Sequence, residues 1–144
     1  MSATKSNAVE MLLYAAELVA QQARDSSEKN SFTAAQAQLA MHIDHGVIHA
    51  HELAQQLQIS KQAVAQLIDA MVCEGVLARY PDPTDKRAKV ILFTAKGQRL
   101  LQSHRRQLAG IESRLAELAG DKAINRLRKS LSRIVPHLTT DVNP

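Results

Sequence analysis

Aromatic residues are nearly missing from this chain. Two Phe, two Tyr and no Trp among 144 residues leave the core to Leu, Ile, Val, Ala and Met, a composition that favours helices. Cysteine is scarcer still: Cys73 stands alone, which excludes an internal disulfide framework and points to a reducing compartment. No apolar run reaches the length a membrane-spanning helix needs. The opening Met-Ser-Ala-Thr-Lys-Ser-Asn lacks the apolar core of a signal peptide, so the expected location is the cytoplasm. Catalytic signatures are missing as well. There is no Gly-rich phosphate loop, no nucleophile elbow and no carboxylate pair in an evident cleft. Neither an enzyme nor a cofactor is expected.

Basic residues are missing from one stretch and crowded into the next. No Lys or Arg occurs between Asn30 and Ser60, whereas Arg79, Lys86, Arg87, Lys89, Lys96, Arg99, Arg105 and Arg106 follow, opposed there only by Asp82 and Asp85. The overall formal charge of +4 merely permits a polyanionic partner. The local concentration is the stronger pointer toward nucleic acid.

Periodicity places the elements. From Asn7 to Arg24, Val9, Leu12, Leu13, Ala16, Val19, Ala20 and Ala23 recur in steps of three and four, predicting an amphipathic helix that decays into a polar loop over Asp25–Ser31. Thr33 and Gln36 have capping-box spacing, with Phe32 as staple residue, and open a helix carrying Leu39, Ala40 and Ile43 to a stop near Gly46. Val47-Ile48 reads as a very short strand. A short helix over Glu52–Gln58 and a second from the cap Ser60 to Gly75, with Val64, Leu67, Ile68, Met71 and Val72 inward, have helix-turn-helix spacing. Val76–Tyr80 and Lys89–Phe93 then read as strands around a charged turn. Thr94 caps a long helix to about Leu118. After Gly120-Asp121, Ile124, Leu127, Leu131, Ile134 and Leu138 approximate a coiled-coil seam whose end Pro136 is expected to fray.

With these elements in order, His51-Glu-Leu-Ala-Gln-Gln-Leu57, Ile59-Ser60, Leu67-Ile-Asp69, Glu74-Gly-Val-Leu77, Asp82-Pro-Thr-Asp-Lys-Arg-Ala88 and Thr94-Ala-Lys-Gly97 resemble the MarR family of winged helix-turn-helix transcriptional regulators. The Asp-Pro-x-Asp-basic-Arg-Ala run is the most specific part. The resemblance implies a mainly α fold with a small β-hairpin wing. It also implies one domain over 1–144, with 33–99 as the winged helix-turn-helix and 7–32 and 100–140 as helical dimerisation regions. It further implies a homodimer on a pseudo-palindromic double-stranded operator, a repressor released by a small aromatic or anionic effector. The effector pocket would lie between the body and the head, with Tyr14, Met41, His42 and Arg105 as loose candidates. Arg87 matches the family's minor-groove arginine and Asp85 the carboxylate that orients it.

Physical chemistry adds roles to these positions. Ser60 and Lys61, at a helix N-terminus, suit phosphate. Gln62 and Gln66 can pair bidentately with adenine, and Ala65 can touch a thymine methyl. Lys86 and Lys89 would neutralise phosphates beside Arg87. Two departures stand out. Relatives often carry Ser/Thr then Arg where Ala65-Gln66 stand, so operator specificity does not transfer. They also often have Gly at Gln58, where a left-handed residue would cost about 1 kcal/mol relative to Gly. The missing Arg supports a second reading, a winged-helix protein–protein adaptor that has lost DNA binding. His42, His45, His49 and His51 cluster near Asp44 and Glu52, but they straddle different elements with no Cys beside them. Solvated or capping histidines are therefore expected rather than a metal site. Cys73, between Val72 and Val76, is expected to be a buried small hydrophobe rather than a redox sensor.

Overall fold

The computed structural model describes residues 6–25 and 31–140, with the Thr140 side chain outside that set. Most of the expected polar loop after Asp25, and most of the opening segment considered for a signal peptide, lie outside the described residues. The elements run α1 (Ala8–Asp25), α2 (Ala34–Asp44), α3 (Ala50–Leu57), α4 (Lys61–Cys73), β1 (Leu77–Pro81), β2 (Lys89–Phe93), α5 (Ala95–Ala119) and α6 (Asp121–Thr140). The fold is mainly helical with one antiparallel hairpin, in which Leu77 pairs with Phe93 and Pro81 with Lys89.

Caps written in the sequence set the boundaries. The Thr33 hydroxyl accepts from Gln36 N at 3.2 Å and the Gln36 side chain accepts from Thr33 N at 3.0 Å, a reciprocal capping box. Ser60 accepts from Ala63 N at 3.0 Å and Thr94 from Gly97 N at 3.0 Å. Between α3 and α4 the chain turns through Gln58 at φ 54°, the left-handed conformation anticipated for a position often held by Gly. After α4, Gly75 takes φ +76°, and the Lys96 ammonium donates to Glu74 O at 2.7 Å, a cation on carbonyls at a helix C-terminus.

One core holds this head together. Leu39, Ala40 and Ile43 of α2, Leu53 and Ala54 of α3, Val64, Ile68 and Met71 of α4, Val76, Leu77 and Ile91 of the hairpin and Leu101 of α5 are buried in a single cluster, with Phe32 at its rim. Gly97 is where α5 crosses the strand. A Cβ there would sit 2.0 Å from Val76 O, so no larger residue fits without moving the backbone. The outer helices differ in kind: α1 buries no residue. It packs on α5, helped by Gln107 donating to Ala23 O at 2.8 Å.

Four local expectations are corrected. Val47-Ile48 forms no strand; Ile48 supplies one carbonyl to Ile91 N at 2.8 Å, too little for a ladder. The first short helix starts at Ala50 rather than Glu52, because His49 already takes extended cap geometry. Pro136 does not fray α6, which continues to Thr140; its missing N–H removes one bond while neighbouring turns hold. Cys73 is exposed. It lies four residues along from Asp69 and seven from Gln66, on the outward stripe of α4, opposite buried Val64, Ile68 and Met71.

Candidate nucleic-acid interface

α4 presents a two-sided chemistry. Its inner residues lock it into the core, and Lys61, Gln62, Ala65, Gln66 and Asp69 are all exposed on the other side, behind the exposed cap Ser60. The spacing 62, 66, 69 follows one helical stripe. The Ser60 hydroxyl is occupied by its cap bond, which leaves its oxygen less free for an external partner than the sequence suggested. Asp69 is paired with Arg79 of β1. The one carboxylate on the stripe is thus neutralised by a cation from the hairpin, and the pair ties α4 to β1. Both are exposed, so its energetic worth is small; its geometric effect is to align the two elements.

The loop between the strands, residues 82–88, exposes Asp85, Lys86 and Arg87, and Lys89 follows at the start of β2. Two aspartates shape it. Asp85 Oδ1 accepts from the backbone N–H of Arg87 at 2.9 Å, so this carboxylate orders the main chain under Arg87. The bond present is to the Arg87 backbone, and no ion pair joins Asp85 to the Arg87 guanidinium among the described residues. Asp82 Oδ1 accepts from Thr84 N at 2.9 Å and from the Thr84 hydroxyl at 2.8 Å. Asp82 Oδ2 lies 2.8 Å from His49 Nε2. The backbone bond from Thr84, then the His49 and Thr84 side chains, pull the Asp82 carboxyl down to about 2.

The two halves meet. Lys61 and Val64 of α4, Arg79 of β1, Ala88, Lys89 and Ile91 on the other side of the hairpin, and His49, Ala50 and His51 at the start of α3 line one open cleft of about 370 Å³. Two of the nine residues singled out from the sequence, Lys61 and Lys89, therefore share a wall-to-wall space. Gln62, Ala65 and Gln66 on α4 and Lys86 and Arg87 on the loop are exposed but do not line it. Sequence reading missed His49, Asp82 and Arg79 as parts of this site. An Asp two residues before a Thr in a Pro-containing turn is a legible side-chain turn signal; the reach of His49 across 33 residues is not.

The histidines separate. His45 Nδ1 sits 2.8 Å from Met41 O, capping its own helix. Burial, and then the charge of His45, lower the pKa of His42. Among the described residues no three His, Cys, Asp or Glu side chains converge as metal ligands, and no helix is long and apolar enough to cross a membrane.

A helix-turn-helix followed by a two-stranded wing, on long terminal helices, defines the class: a winged helix-turn-helix protein. The sequence model of the MarR family matches residues 31–88, the span of the head from α2 to the end of the wing loop. Over that span the chain is similar to the MarR family. The multiple antibiotic resistance protein MarR of Salmonella typhimurium is 27% identical over 92 residues, which cover 63% of this chain and 64% of that protein. The match thus spans just under two thirds of that relative's length. Among solved structures, apo MarR from E. coli superposes with a TM-score of 0.73 at 20% identity, over 91% of this chain and 98% of that one. The transcriptional repressor CouR, solved on a 23-mer DNA duplex, superposes with a TM-score of 0.70 at 23% identity, over 94% and 97%. At these identities the likeness is one of fold.

Proposed function

We propose that this protein is a homodimeric, sequence-specific DNA-binding transcriptional regulator of the repressor type, working in the cytoplasm and released by a small-molecule effector. The observation that carries the reading is the shared cleft. It joins Lys61 at the N-terminus of α4 to Lys89 of the wing, with Gln62, Ala65 and Gln66 exposed on the same helix and Arg87 on the loop. In this reading α4 enters a major groove, Lys61 neutralises phosphate and the two Gln read adenine edges. Arg87 enters the adjacent minor groove, with Lys86 and Lys89 on its phosphates. CouR supports the geometry, being a like-folded repressor solved on duplex DNA.

The dimer rests on the terminal helices. Val9, Leu13 and Tyr14 of α1 and Leu127, Ile134 and Leu138 of α6 are exposed apolar residues, a surface a single chain leaves uncovered. The domain division into a head over 33–99 and dimerisation regions over 7–32 and 100–140 follows from the same contrast. The effector would enter a cavity of about 410 Å³ lined by Phe32, Leu100, His104 and Arg106, among others, between the start of α2 and α5. An aromatic wall and a guanidinium suit an aromatic or anionic molecule. Tyr14, Met41, His42 and Arg105 do not line it, and Arg105 is bound to Asp44 at 2.6 Å.

Selection from a random duplex pool tests the reading. The expected product is a two-fold symmetric site with half-sites about one helical turn apart. On that duplex Arg87→Ala should weaken binding about tenfold or more at fixed salt. The modest outer face of α4, which carries no Arg, favours the protein–protein adaptor as second reading. Absence of duplex binding even at low salt would support that adaptor and sink the first.

A further inference from the structure

The wing stem is well anchored and its loop is not. Leu77, Val90 and Ile91 are buried, Ile91 N donates to Ile48 O at 2.8 Å, and Arg79 pairs with Asp69. The ladder ends at the Pro81–Lys89 pair. Beyond it, Asp82 N donates to Ala88 O at 3.2 Å, Ala88 N to Asp85 O at 3.1 Å and Arg87 N to Asp85 Oδ1 at 2.9 Å. Every one of these bonds is internal to the loop. They give residues 82–88 a shape, but no bearing on the head.

The contact that supplies the bearing is His49 Nε2 to Asp82 Oδ2, at 2.8 Å. Asp82 uses its other oxygen for both Thr84 bonds, so one carboxylate joins the first turn of the loop to the residue that caps α3. His49 is half-buried and has no better partner: Glu52 Oε1 stands 3.9 Å from its Nδ1, beyond hydrogen-bond range.

We propose that His49, acting through Asp82, is a positioning residue for the wing. It holds the loop at the angle that delivers Arg87 to DNA, and so sets affinity without touching DNA itself. The inference rests on the DNA-binding reading above. A long side chain at a loop tip amplifies small rotations at the base. Without the His49 bond the loop samples orientations from which Arg87 cannot dock, and apparent affinity falls with the competent fraction.

The test is a double-mutant cycle on a duplex enriched by the wild-type protein from a random pool, titrated at fixed salt. His49→Ala should weaken binding about three- to tenfold, and His49→Gln, which keeps an N–H donor, should recover most of it. In an Arg87→Ala background His49→Ala should change affinity less than about twofold, because the contact it serves is gone. Asp82→Asn, made from the wing side, should show the same dependence on Arg87. Wild-type affinity in both His49→Ala and Asp82→Asn would overturn the proposal. So would an equal loss with and without Arg87, which would mark a general structural role. Enrichment by the wild type and a loss in Arg87→Ala establish the underlying reading separately. If those two hold and the cycle is additive, only the positioning role fails.

Discussion

The reading head and the terminal helices use the same residue types to opposite ends. In the head, Leu39, Leu53 and Met71 are completely buried, in one cluster drawn from several elements. In α1 no residue is buried, and Leu13 and Tyr14 are each 67% exposed. The head closes its own core; the terminal helices leave theirs open within one chain. In α6 the contrast falls within a single helix. Ile124 and Leu131 are half-buried on the side where α6 packs against α5, whereas Leu127, Ile134 and Leu138 are exposed. These residues form one apolar seam, and within one chain only one edge of it is covered. The difference teaches that stability of the head is an intramolecular property, while that of the body depends on protein concentration in the proposed dimer.

The sharpest way to break the contrast is to cut into each region in turn. Leu53→Ala, in the head, should cost about 2–5 kcal/mol in urea unfolding, independent of protein concentration. A loss under about 1 kcal/mol would mean the head is less self-contained than its packing implies. Ile134→Glu with Leu127→Glu, in the body, should convert a dimer into a monomer by sedimentation velocity at micromolar concentration while leaving the head's core packing intact. If the variant sediments as the wild type, the exposed stripe is not the interface.

Two smaller effects refine the picture. Gln58→Gly should stabilise the head by about 0.5–1 kcal/mol, since the residue sits at φ 54° and Gly adopts that region without strain. Destabilisation would show that the entropy of the unfolded chain outweighs the strain. The smallest effect is a pH dependence. The Asp82 carboxyl, held at about 2 against an ordinary 3.8, contributes stability that is present above pH 4 and lost as pH falls toward 2. Burial also holds the His104 and His42 pKa values below 6.5, so these rings oppose protonation in the fold and stability declines as pH drops below that value. Asp82→Asn should therefore narrow its gap to the wild type between pH 4 and 2, and His104→Asn should flatten the decline below pH 6.5. A constant gap across pH 5 to 2 in denaturant melts would exclude the Asp82 contribution.

What was legible in the sequence depended on range. Thr33, Ser60 and Thr94 announced their helices because a cap bond spans three residues, and the inward stripe of α4 announced itself through period alone. Cys73 was misread because its apolar sequence neighbours suggested burial, whereas helical phase puts it on the stripe of Gln66 and Asp69. Pro136 was misread because its local cost was weighed without the turns on either side. For Asp85, sequence proximity to Arg87 does not distinguish a side-chain partner from the backbone one it has.

For the wing, the sequence by itself determined that a charged loop closes a hairpin after a helix-turn-helix, and which residues stand exposed on α4. These follow from periods, caps and turn chemistry, all of which act within a few residues. Only the tertiary structure decided that His49 reaches Asp82 across 33 residues, that Arg79 neutralises Asp69, and that Lys61 and Lys89 face one cleft. Those pairings depend on the angle at which the hairpin docks on the buried core, a quantity that no local rule encodes.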